Sequence, residues 1–104
     1  KRPQTPKLGK ATTRELVAAL SSPDGWARDT AHRLIRERQD KAAIEPLRTL
    51  IRSGAKPVTV VLALYGLRGL DALTAGDVLA GLRHGDAHVR EHALRLAERM
   101  ADQN

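Results

Sequence analysis

Apolar residues recur at helical intervals along most of the chain. Leu16, Val17, Ala19 and Leu20 form one stripe and predict a first helix over Thr13–Leu20, capped by Thr12 or Thr13 with Glu15 in its first turn. Ser22 and Pro23 then read as the cap and first residue of a second helix, which reaches about Arg38. Its buried face is Ala27, Thr30, Ala31, Leu34 and Ile35, with Trp26 packed over the preceding helices. Asp40 caps a third helix through about Arg52, with Ile44, Leu47, Leu50 and Ile51 inward. Pro46 is tolerated only in its first turn, so the start shifts towards Ala43. Gly54 stops that helix, and Pro57 opens a fourth that ends at Leu67 or Arg68.

The fourth helix is apolar nearly all round, as a helix with neighbours on two sides must be. Val58-Thr59-Val60-Val61 in isolation suits a strand, but the register of the surrounding helices overrides that local preference. Gly69, Leu70 and Asp71 make a connection. Thr74 with Asp77 resembles a capping box for a fifth helix, with Val78, Leu79 and Leu82 inward. Gly85 breaks it. Asp86 caps a sixth helix to about Met100, with a stripe of Val89, Ala93, Leu96, Ala97 and Met100.

The second and sixth helices share a pattern. Asp24, Arg28, Ala31 and Leu34 match Asp86, Arg90, Ala93 and Leu96 at one common interval of about 62 residues. Half of that, about 31, is a helical-repeat period, and Val61–Leu67 occupies the midpoint. The predicted fold is therefore all-α, an α-solenoid of three antiparallel helix pairs over about 12–38, 40–70 and 74–101, preceded by a basic arm at 1–11. Ala31, Ala63 and Ala93 allow the paired helices to approach closely. The chain begins without Met and ends soon after its last helix. It reads as a piece of a longer protein, whose open end should expose Leu94 and Met100 as a patch or a dimer contact.

Composition changes this picture little. Aromatic residues are 2% of the chain, as suits closely packed aliphatic helices and as disfavours stacking of bases. The absence of cysteine excludes disulfides, thiolate-ligated zinc and covalent haem attachment within the chain. A net charge of +6 raises the prospect of anionic partners. Part of it belongs to Lys1, Arg2, Lys7 and Lys10 of the arm. No apolar run has the length of a membrane span, so membrane insertion is not expected.

The motif Asp-x-x-Val-Arg-x-x-Ala-x-x-Leu over Asp86–Leu96 resembles the HEAT repeat, in particular its short bacterial, armadillo-like type. The resemblance covers about Thr12 to Met100. The first copy has Ala27 in the Val position, and the middle copy has Thr59 near the place of the Arg. Leu16–Leu34 and Leu62–Leu70 are also similar to the helical region of planctomycete-type membrane-bound dehydrogenase-like proteins, also called haem-binding-domain proteins. In that family a sugar-dehydrogenase-like β-propeller precedes the helical region and a cytochrome c domain follows it. The resemblance implies an extracytoplasmic, multidomain redox protein whose catalysis lies outside this segment.

The candidate residues divide by chemistry. Asp24–Arg28 and Asp86–Arg90, each four apart, read as a structural ladder rather than as ligand contacts. Arg33, Arg36, Arg38, Arg95 and Arg99 fall off the apolar stripes of the second and sixth helices and could line a basic concave face. Glu37, Glu91 and Glu98 interleave with them, which favours a solvated mixed-charge face. His84, His88 and His92 recur every fourth residue, and His88–His92 matches an inverted zinc-protease motif. The motif falls on ordinary repeat positions, leaving His88 and His92 as weak surface ligands at most. No catalytic residue and no cofactor is expected. The predicted function is a HEAT-repeat interaction or spacer module that binds protein or neighbouring domains. The alternative is a nucleic-acid-binding domain using the basic face.

Overall fold

The computed structural model describes residues 8–103. Among them every regular element is helical. The six α-helices are α1 (Thr13–Ala19), α2 (Gly25–Arg38), α3 (Ile44–Arg52), α4 (Pro57–Gly69), α5 (Ala75–Leu82) and α6 (Ala87–Asp102), with 3-10 turns at Leu8–Lys10 and Lys41–Ala43. None is long and apolar enough to cross a membrane. Residues 1–7, most of the expected arm, lie outside the described residues. From Leu8 the chain lies against α2. The Leu8 side chain is buried, and the Arg38 guanidinium donates to the carbonyls of Ala11 at 2.6 Å and Gly9 at 2.9 Å.

Side-chain caps set the helix starts. On α1, the Thr12 hydroxyl accepts from the Glu15 N–H at 3.1 Å while Glu15 accepts from the Thr12 N–H at 2.8 Å. The expected box on α5 is present as well, with Thr74 accepting at 3.2 Å and Asp77 at 2.9 Å. The start of α2 differs from expectation. Ser22 does not cap it and Pro23 lies outside it. The Ser22 hydroxyl accepts from the Asp24 N–H at 3.1 Å, and Asp24 itself caps α2 by accepting from the Trp26 N–H at 2.9 Å. A carboxylate that reaches a helical N–H two residues on displaces the earlier serine from the capping role. Asp86 repeats the role on α6 through the Val89 N–H at 3.1 Å. Asp40 caps the Lys41–Ala43 turn rather than α3, so Pro46 becomes the third residue of α3 and removes no internal bond.

The helices pack as α1 on α2, α3 on α4 and α5 on α6. Neighbouring pairs touch through α2–α4–α6 and through α1–α3–α5. α4 contacts α2, α3, α5 and α6, which accounts for burial on most of its surface. Thr59 is fully buried, and its hydroxyl donates to the Leu20 carbonyl at 3.0 Å, so the polar group is paired rather than stranded. Ala31, Ala63 and Ala93 are fully buried. Trp26, expected to pack, is 52% exposed.

Three further links tie the pairs together. The Thr13 hydroxyl donates to the Asp40 carboxylate, and this bond and the Ala42 N–H hold the Asp40 pKa below its ordinary value. Gln39, in the left-handed region at φ 51°, donates from Nε2 to the Gly69 carbonyl at 2.8 Å. Arg48 of α3 forks onto Asp77 of α5, Nε to Oδ1 at 2.7 Å and Nη2 to Oδ2 at 3.0 Å. Burial acts to raise the Asp77 pKa, but the bonds from Arg48 and Thr74 outweigh it and hold the carboxyl below the ordinary aspartate value.

Candidate functional site

Two surfaces stand apart once the structural roles of the polar residues are assigned. Asp24, Arg28, Asp86 and Arg90 are structural, by a different pairing from the expected ladder. The aspartates are occupied as caps. Arg28 Nη1 donates to the Ser22 carbonyl at 2.8 Å, and Arg90 Nη1 donates to the His84 carbonyl at 2.8 Å. Each arginine thus ties its helix back to the loop before it, identically in the first and third pairs. Four-residue spacing suggested an Asp–Arg contact; the caps had already engaged the carboxylates.

His88 and His92 are turned to different tasks. His88 is largely exposed and stands 3.8 Å from Glu91. His92 Nδ1 shares a 2.9 Å hydrogen bond with the Tyr65 hydroxyl of α4, and the two rings meet edge to face. His84 Nδ1 accepts from the Asp86 N–H at 3.0 Å in the turn before α6. Among the described residues no three His, Asp or Glu side chains converge as a metal requires.

Of the arginines expected on the basic face, Arg38 is engaged by the carbonyls of Gly9 and Ala11, and the other four divide into two groups. Arg33 pairs with Glu37 at 3.2 Å and Arg95 with Glu91 at 3.3 Å, both exposed and both within one helix. Arg36 and Arg99 instead line a cleft of about 410 Å³ between the C-terminal ends of α2, α4 and α6. Arg68, which the sequence did not single out, joins them from α4. Among the described residues no side-chain carboxylate lies within ion-pair distance of these three guanidiniums. The stem of Arg36 lies over Gly69, where an added β-carbon would stand 3.1 Å from Arg36 Cγ. Tyr65, Leu73, Leu96 and Met100 supply apolar lining, and Asp71 the single carboxylate. His32 forms part of the wall. Its Nε2 is buried with no hydrogen-bond partner, and burial, assisted by the Arg36 charge, lowers its pKa against the opposing pull of Asp29.

The second surface is on the third pair. Leu94 is 52% exposed on α6 and Leu79 is 44% exposed on α5. Met100 does not join Leu94 in one patch. Six residues of helix turn it about 120° away, into the arginine cleft. No protein-family model, curated protein or solved structure matches this chain.

Proposed function

We propose that the chain is a HEAT-type α-solenoid module that acts by contact rather than by catalysis, as an interaction or spacer element within a larger protein. The observation that carries this reading is the chemistry of equivalent positions in the three pairs. α1, α3 and α5 begin at Thr13, Ile44 and Ala75, a regular step of about 31 residues. In that register Leu79 corresponds to Val17 and Arg48. Val17 is buried, and Arg48 reaches the next pair at Asp77. Counted from the starts of α2, α4 and α6 at Gly25, Pro57 and Ala87, Leu94 corresponds to His32, held in the α2–α4–α6 cleft, and to Leu64, whose side chain lies against Gly81 of α5. Each position that faces the following pair is engaged in the first two pairs. In the third it is an exposed leucine. Apolar side chains so placed favour a covering partner, either the next domain of the same protein or another chain.

The redox setting implied by the dehydrogenase-like resemblance belongs to the same proposal: the module would space an oxidising domain from an electron-accepting one. Nucleic-acid binding is disfavoured by the internal pairing of Arg33 and Arg95, two of the arginines expected on the basic face. Site-specific photo-crosslinking in the host cell tests the reading. A crosslinker at position 79 or 94 should yield discrete adducts, whereas one at the exposed Thr49 of α3 should not. Equal labelling from all three positions would contradict it.

A further inference from the structure

We infer that the cleft between the ends of α2, α4 and α6 binds an acidic peptide segment, with Arg36, Arg68 and Arg99 as its carboxylate receptors. The inference rests on the reading of this chain as an interaction module but concerns a different surface from Leu79 and Leu94. An arginine in a last helical turn suits the negative end of the helix dipole, and a lone one would need no other explanation. Here three, from three separate helices, converge on one cleft, and none meets a side-chain carboxylate among the described residues. Arg33 and Arg95, on the same two helices as Arg36 and Arg99, are paired with glutamates instead. Among the described residues of α2 and α6, the arginines that neither pair with a carboxylate nor donate to a backbone carbonyl are therefore the two at the cleft.

Shape and lining select the ligand class. A cleft of about 410 Å³ holds a few side chains. Tyr65, Leu96 and Met100 give it an apolar lining beside the guanidiniums, which matches aspartates or glutamates interleaved with aliphatic residues. A nucleic-acid backbone needs a longer run of cations than three. Guanidinium forks are suited to carboxylates because each can donate two parallel hydrogen bonds.

The test is fluorescence anisotropy with the full chain and three labelled probes: a peptide alternating Glu and Leu, its Lys-for-Glu counterpart, and a single-stranded oligonucleotide of equal negative charge. The expected result is saturable binding of the acidic peptide alone, weakened about tenfold or more in R36Q/R68Q/R99Q and changed by less than about twofold in R33Q/R95Q. Circular dichroism establishes that both variants remain helical. Tighter binding of the oligonucleotide, equal weakening in the two variants, or no binding of the acidic peptide would each overturn the inference. Adducts at positions 79 and 94 alongside any of these results would leave the interaction-module reading standing and remove only the acidic ligand.

Discussion

His32 shows how a single residue of this fold departs from what its sequence position suggests. Between Ala31 and Arg33 it reads as an ordinary polar residue of a helix flank, yet its Nε2 is buried without a partner. Folding depresses its pKa, chiefly by burial. Above the ordinary imidazole value near 6.5 the residue is neutral in both states and its full contribution to stability is present. As the pH falls below that value the unfolded chain takes up a proton that the folded chain resists, and stability declines until the folded imidazole also titrates. Urea unfolding of the wild type should therefore show a falling midpoint from pH 7 to pH 5, and His32→Leu should flatten that slope. A slope unchanged by the substitution would remove His32 as its cause. Arg48 and Asp77 make the complementary point. They are far apart in sequence and meet only when α3 and α5 are stacked, so no local pattern announces their bond.

At the scale of the helix, most of the apolar stripes, Pro57 at the start of α4 and the Thr74–Asp77 box were legible, because each is a short-range signal, whereas Leu79, expected inward on α5, is 44% exposed. The start of α2 was not, since Ser22-Pro23 and Asp24-Gly25 offer competing caps within three residues and only geometry chooses. Gly81 is a further case. Inside α5 it looks like a weak point, and replacement of a helical glycine by alanine ordinarily gains about 1 kcal/mol. Here a β-carbon would stand 2.9 Å from the Ala93 β-carbon of α6 and 3.2 Å from Leu64. The Ala93 methyl is fixed to its own backbone and cannot swing aside, so the helices must separate, at a typical cost of about 1–3 kcal/mol. Gly81→Ala is predicted to lower the unfolding free energy despite its better helix propensity. A stabilised variant would show that α5 and α6 have slack at this contact.

Over the whole molecule, recurrence at about 31 residues is the organising fact, and it was visible first in Arg28 and Arg90 although their partners were misassigned. The cleft was only half visible. Arg36 and Arg99 stood out by position on their helices, while Arg68 was hidden in a helix apolar nearly all round. The central claim is that two register positions face the following pair and are left open in the last. Charge insertion across equivalent residues tests it most directly. Val17→Glu and Leu64→Glu bury a carboxylate and should cost more than about 3 kcal/mol or abolish folding. Leu79→Glu and Leu94→Glu should each change the unfolding free energy by less than about 0.5 kcal/mol. A loss at Leu79 or Leu94 as large as that at Leu64 would mean that the third pair is closed within its own chain, and the account of an open contact face would fail.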